Sequence, residues 1–327
     1  MFWIFRNASY TFLQWRKKAY WVSGVVLALG VAAMVFNVFA MGSTVNYGVD
    51  FTGGTRVLVA VGEGTTEADL REALGGTQAP SITRFGAENE FQIRTPVEEG
   101  VSVDAVGQAI QAQLTESPLI TDYEVLALES VGAVIGEELT RAAALAILIS
   151  FVLTLLYLAI RFELRFGLAS VIATVHDILI TIGFLALFRV EISLPTVAAV
   201  LTVIGYSLND TIVVFDRIRE NLQKKGGRRE NPIDLINRSI NESLPRTLMT
   251  SGTTLAVLIS LLVLGGTVIR DFTIVLILGV VIGTYSSIFV ASPALLEIQN
   301  RFGTKEEADR KQKLRSRKKK KETAIPV

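Results

Sequence analysis

Six stretches of this 327-residue chain are apolar for about twenty residues, and the polar residues are gathered between them. A run of that length matches a bilayer hydrocarbon core of roughly 30 Å. The runs fall at residues 21–41, 142–160, 167–188, 194–215, a stretch entered just past Pro245 and Arg246, and 272–295. Between the first and second runs the period changes. Residues 56–61 are β-rich, 66–74 have helical spacing behind a Thr, and 81–85 and 90–95 read as short strands around a turn. Residues 103–114 are helical again, with Val106, Ile110 and Leu114 on one face, and 123–128 form a last strand. The order β-α-β-β-α-β predicts a ferredoxin-like split motif, a small α+β head. The expected fold is therefore a polytopic α-helical membrane protein of six transmembrane helices, with the head between helices 1 and 2. It divides into an N-terminal segment 1–20, span one 21–41, the head 42–138, spans two to six 139–300 with a basic loop 216–246, and a basic tail 301–327.

Composition agrees and adds an orientation. Half the residues are hydrophobic, mean hydropathy is +0.45 and the net charge is +1. The near-neutral balance hides an asymmetry, because Lys and Arg crowd residues 305–321 and the loop from Arg217 to Arg246, while the head region carries more acid than base. By the positive-inside rule, both termini and the basic loop are expected in the cytoplasm and the head on the opposite side. Trp3, Trp15, Tyr20 and Trp21 around Arg16, Lys17 and Lys18 suit a membrane surface at the start of span one. That span is too long for a cleaved signal peptide and is read as retained. The tail's cations suit anionic lipid or an acidic partner, and no nucleic acid is expected. Without cysteine, thiol chemistry and disulfides are excluded.

Candidate chemistry lies inside the apolar runs. Asn209 and Asp210 interrupt span four, and intramembrane carboxylates usually face other helices or a water-filled cavity and mark ion or proton paths. Arg246 stands at the mouth of span five with Thr250, Thr253 and Thr254 deeper on the same face, two turns from the depth of Asp210 and near enough to attract it. The lone His176 is followed by Asp177, which shares a helical face with Thr174 and Thr181. One His and one Asp are too few for a zinc or copper site, which leaves a packed hydrogen-bonded pair or an element of a proton path. Asp216 and Arg217 follow span four directly. Gly279, Gly283 and Ser287 repeat every four residues, a spacing for close helix packing. The glycines of Gly48–Thr55 do not make a phosphate loop, because no Gly-Lys-Ser/Thr follows and the next element is a strand.

Gly48-Val-Asp-Phe-Thr-Gly-Gly-Thr55, Glu129-Ser-Val-Gly132, His176-Asp177, the run from Gly205 to Asn221 and Leu244-Pro-Arg-Thr-Leu-Met-Thr-Ser251 together resemble the SecF side of the SecD/SecF family of bacterial protein-export membrane proteins. The resemblance covers nearly the whole chain except the basic tail. It implies a six-span half of the resistance-nodulation-division superfamily that pairs with SecD, its pseudo-symmetric other half, in the cell inner membrane. It also implies work with the SecYEG channel on unfolded preproteins after the SecA ATPase has acted, with YajC and YidC as further companions. The family's essential intramembrane Asp falls on Asp210 and its essential Arg on Arg246. Asn209 and Asp177 match its signature as further proton-coupling candidates, with His176, Asp216, Arg217 and Thr250 around them. The implied activity is transport driven by the proton gradient, not enzyme catalysis. No cofactor is implied beyond the proton as coupling ion. A proton-driven small-molecule antiporter half and a passive translocon scaffold are the competing readings.

Overall fold

The computed structural model describes residues 9–86, 88–96, 103–161, 163–224, 227 and 230–301. The tail beyond residue 301, the first eight residues including Trp3, and Lys225, Arg228 and Arg229 of the basic loop lie outside the described residues.

Six helices are long and apolar enough to cross a membrane. The first is α1 (Arg16–Met41), which starts a turn and a half earlier than the apolar run because a 3-10 turn at Phe12–Trp15 leads directly into it. Trp15 and Trp21 are exposed there, and the Lys18 ammonium lies 5.0 Å from the Trp15 ring centre, the aromatic and cationic mixture expected at an interface. Gly42, at φ 74°, ends the helix in the left-handed conformation that glycine adopts without strain.

The chain then makes a two-residue strand β1 (Asn46–Tyr47) and a single helical turn α2 (Val49–Thr52) before the head. The head consists of β2 (Gly54–Val61), α3 (Glu67–Ala73), β3 (Ser81–Arg84), β4 (Glu90–Thr95), α4 (Val103–Glu116) and β5 (Tyr123–Val131). Its four strands form an antiparallel sheet in the order β3-β4-β2-β5. Alternation decides the faces: Val57, Val59 and Val61 of β2 and Phe91 and Ile93 of β4 point to one side. There they close a core with Leu70 and Leu74, and with Ile110 and Leu114 of α4. Arg56, Leu58, Gln92 and Arg94 therefore occupy the other side, opposite the head helices.

Helix α5 (Ala133–Arg161) begins within the region the sequence assigns to the head, and α2 packs against its first turns. The remaining elements are α6 (Leu164–Leu187), a short strand β6 (Glu191–Ile192), α7 (Leu194–Gln223), α8 (Pro232–Leu264), α9 (Arg270–Ser286) and α10 (Ser292–Arg301), the last two joined by a π-helical stretch at Ser287–Ala291. From the sequence, Ile233, Ile236, Ile240 and Leu244 form the stripe of an amphipathic helix running along the membrane surface towards Pro245; in the structure that helix and span five are one, and Pro245 lies inside it. The stripe is packed into the membrane body with Phe166, Phe215, Ile218 and Leu295.

Small residues set the closest helix contacts. A side chain on Gly30 of α1 would start 2.8 Å from the Gly183 Cα of α6. On Gly279 of α9 it would start 2.0 Å from a Val203 methyl of α7, and on Gly283 3.0 Å from the Ser207 Cα. The Gly279–Gly283 stripe thus presses α9 against α7, the helix that carries Asp210.

Candidate functional site

The α7–α9 contact holds two buried carboxylates, one reaching it from α6 and one from α7 itself. Asp177 of α6 accepts hydrogen bonds from Ser286 of α9 at 2.6 Å and from Ser207 of α7, and its other oxygen faces His176 Nδ1 at 2.8 Å. His176 Nε2 lies 3.0 Å from the Ser23 hydroxyl of α1, which lies 3.2 Å from the Tyr285 hydroxyl; Tyr285 donates to the Ala19 carbonyl at 3.0 Å. The result is a continuous hydrogen-bonded row across α1, α6, α7 and α9, buried at His176, Asp177, Ser23, Ser207 and Ser286. Thr174 and Thr181 are buried on the same face of α6 but turn their hydroxyls to carbonyls one turn back, at Ser170 and Asp177.

Asp210 is one turn further along α7 than Ser207 and 1% exposed. Its Oδ2 accepts from Ser251 of α8 and from Thr284 of α9, both at 3.2 Å, and these two hydroxyls are 2.7 Å from each other. Its Oδ1 is buried and has no hydrogen-bond partner among the described residues. A buried acceptor left without a donor costs about 1–3 kcal/mol, and more when charged, so an oxygen in this state marks a group whose protonation matters. Nothing about the fold demands a carboxylate here; two hydroxyls alone would join α8 to α9.

The sequence-predicted residues separate into three places. Asp177 and His176 form the first node and Asp210 the second, with no hydrogen bond between the nodes among the described residues. Arg246, Asn209 and Thr250 are exposed on the surface of this single chain, with Thr253 beside them. The expected carboxylate–guanidinium contact between Asp210 and Arg246 is not made among the described residues, where Asp210 is held by Ser251 and Thr284. Asp216 and Arg217 belong to the helix ends near the basic loop: Asp216 pairs with Arg161 at 3.4 Å, and Arg217 with Glu242 at 2.6 Å and Glu220 at 2.5 Å.

Sequence reasoning missed the hydroxyls that receive the carboxylates. Ser251 follows Thr247 by one turn on α8, and Thr284, Ser286 and Ser287 are a polar cluster inside an otherwise apolar span, which was the available signal. Tyr285 sits inside that same cluster, whereas Ser23 carried none, because single Ser residues are common in membrane helices.

Comparison with known proteins gives this geometry a family. Residues 110–301 match the model described as protein export membrane protein SecD/SecF, C-terminal, and residues 40–64 match the SecD/SecF GG motif. Among curated relatives, a protein translocase subunit SecF of Gemmatimonas aurantiaca is 45% identical over 307 residues, covering 91% of this chain and 90% of its own length. The subunit of the same name from Vibrio alginolyticus is 41% identical over 289 residues, covering 88% and 89%. The crystal structure of SecDF, a translocon-associated membrane protein from Thermus thermophilus, superposes with a TM-score of 0.76 at 39% identity over 92% of this chain. A SecDF structure in a super-membrane-facing form gives 0.64 at the same identity over 94%. The chain spans 40% and 41% of the lengths of those two structures. A multi-pass membrane protein with these matches along nearly its whole length belongs to the SecD/SecF family of protein export membrane proteins, on its SecF side.

Proposed function

We propose that this chain is the SecF half of a SecD/SecF unit that uses the proton gradient to drive late steps of preprotein movement through SecYEG, after SecA, and release on the periplasmic side. In this reading both termini are cytoplasmic in the inner membrane, and the head is a periplasmic ferredoxin-like domain. The observation that carries it is Asp210, a carboxylate buried among three membrane helices with one oxygen partnered by hydroxyls and the other without a hydrogen-bond partner among the described residues. Burial and the guanidinium of Arg246 act on its protonation in opposite senses, which poises the group to switch. A gain or loss of charge there changes what Ser251 and Thr284 must do, and so biases how α8 and α9 pack on α7. One elementary charge crossing 100 mV carries about 2.3 kcal/mol, enough to shift a two-state packing equilibrium by more than an order of magnitude.

Pairing with SecD is supported by the face that bears Asn209, Arg246, Thr250 and Thr253. Asn209, exposed beside Asp210 within span four, and Arg246, Thr250 and Thr253 make a polar face that lipid solvates poorly, so this face calls for a protein cover. The test is release of a preprotein outside vesicles, with and without a proton ionophore, at equal membrane abundance and with no other copy of the protein present. Asp210→Asn keeps the size and the hydroxyl contacts, and it is expected to leave insertion and SecD pairing intact while abolishing ionophore-sensitive export. Arg246→Lys keeps the charge but not the planar fork, and partial loss is expected there, with full loss for Arg246→Met. Export by Asp210→Asn as ionophore-sensitive as wild type would refute the coupling role.

A further inference from the structure

Glu191 is a buried carboxylate that the site above does not use. It lies in the short connection between α6 and α7, 5% exposed, and residues of the head surround it. Its Oε2 receives Arg94 Nη2 at 2.8 Å and Gln92 Nε2 at 2.8 Å, and its Oε1 lies 3.4 Å from Arg56 Nη1. Arg56 and Arg94 are direct partners in the β2–β4 register, on the sheet face opposite the head helices. Like charges directly opposite each other across two strands repel. Glu129, partner of Arg56 on β5, takes one edge of that guanidinium at 2.7 Å, and Glu191 supplies the countercharge between the two arginines. The head thus presents a socket whose electrostatics are completed only by a residue of the membrane body.

The backbone around Glu191 is fastened at the same place. β6 pairs in parallel with β1, Asn46 to Glu191 and Tyr47 to Ile192, and Gly48 N–H donates to the Ile192 carbonyl at 2.8 Å. Arg94 also donates to the Tyr47 carbonyl at 3.1 Å. Asp50 accepts from the N–H of Leu194, the first residue of α7, at 2.7 Å. On the body side Thr196 of α7 donates to the Glu191 carbonyl at 2.9 Å. The segment matched by the GG motif builds the head side of this joint. Gly53 and Gly54, at φ 72° and 118°, turn the chain from Asp50 into Arg56, and a side chain on Gly54 would start 2.3 Å from the Thr95 carbonyl oxygen.

We infer that Glu191 is the coupling residue between head and membrane body: seated between Arg56 and Arg94, it locks the head to the outer end of α7 so that the two move as one unit. Asp210 is sixteen residues further along the same unbroken helix, about 24 Å at 1.5 Å per residue. The direction of transmission rests on the role proposed for Asp210; the lock itself does not.

The absence of cysteine makes the lock measurable in the full chain, reconstituted with its SecD partner in lipid vesicles. Spin labels on Ser81→Cys in the head and Ala198→Cys on α7 report their separation by pulsed electron resonance, and a second pair, Ser81→Cys with Glu124→Cys, reports on the head alone. Wild type is expected to give one narrow distance distribution for the first pair, Glu191→Gln one broadened by roughly twofold or more because a neutral amide no longer offsets the facing arginines. Exchanging the charges, Glu191→Arg with Arg94→Glu, is expected to narrow it again. The head-internal pair should stay unchanged in every variant. A Glu191→Gln distribution as narrow as wild type, or a charge exchange that stays broad, overturns the proposal. Broadening of the head-internal pair as well would assign Glu191 to folding of the head and overturn it too. Asp210→Asn is expected to change export without widening the first pair, so the two readings fail separately.

Discussion

At the scale of single residues, the head offers a carboxylate whose role can be read from its contacts. Asp69 closes a capping box on α3: its carboxylate accepts from the Thr66 hydroxyl at 2.7 Å and from the Thr66 N–H at 2.8 Å, while the Thr66 side chain accepts from the Asp69 N–H. The Thr66 hydroxyl, then its N–H, holds the Asp69 carboxyl below its ordinary value. A depressed carboxylate adds stability above its unfolded value and loses that addition as pH falls through the lower folded one. The isolated head, residues 43–130, is accordingly expected to melt cooperatively at neutral pH and to lose stability below the ordinary carboxylate range. Asp69→Asn should melt lower than wild type at neutral pH, and the gap should close in acid. Thr66→Ala is expected to cost about 0.5–2 kcal/mol, a fall of several degrees in melting temperature for a domain this small. A calorimetric series over pH checks both; a gap that persists unchanged in acid would refute the assignment to Asp69. Arg56 lies on the opposite face. Burial works against its charge, but the hydrogen bond to Glu129 and the charges of Glu191 and Glu129 outweigh it and hold its proton more tightly than usual.

The elements of the membrane body are set by glycine contacts of two kinds, and the difference is testable. Gly30 and Gly183 meet backbone to backbone, so a methyl on either has no side chain to push aside. Gly279 meets the Val203 methyls, which can be trimmed. Gly30→Ala and Gly279→Ala are each expected to destabilise the protein by about 1–3 kcal/mol. Val203→Ala should recover most of the Gly279→Ala loss and none of the Gly30→Ala loss, in thermal unfolding of the detergent-solubilised protein. Equal rescue of both would mean that α1 and α6 do not touch at Gly30. The spacing of Gly279 and Gly283 was legible in the sequence because a four-residue repeat is local. The Gly30–Gly183 contact was not, because neither glycine belongs to a repeat and the two meet only when α1 is laid on α6.

For the whole molecule, the arrangement of charge predicts the orientation. Single cysteines at Ser81 and at Ser316 are expected to react with a membrane-impermeant reagent in intact cells only at Ser81. Labelling of both alike would sink the orientation with the head outside. The order of elements in the head and the number of spans followed from the sequence with boundary shifts of a few residues. The larger change is α8, where Pro245 reads as a break; a proline is tolerated in a helix when neighbouring contacts hold it, and Leu244 and Thr247 on either side of it are buried against the rest of the body.

The sequence by itself determined that six segments are long and apolar enough to cross a membrane, that a β-α-β-β-α-β segment stands between the first two of them, and that Asp177 and Asp210 are out of place in apolar surroundings. Those properties depend on the length, period and composition of one segment at a time. Which groups face one another was decided only by the tertiary structure. Asp210 suggests a pairing with Arg246 when only depth along the helices is considered, yet it meets Ser251 and Thr284, because contact depends on how each helix is rotated about its axis. Glu191 reads as one acid in a short turn, and the cation nearest in the chain, Arg189, turns instead to the Ser43 carbonyl. The partners of Glu191, namely Arg56, Gln92 and Arg94, come from strands about a hundred residues or more away, brought under it by a sheet whose other face is held by the head's own core. Rotation and docking are set by the sum of many packing contacts between distant segments, and no local pattern carries that sum.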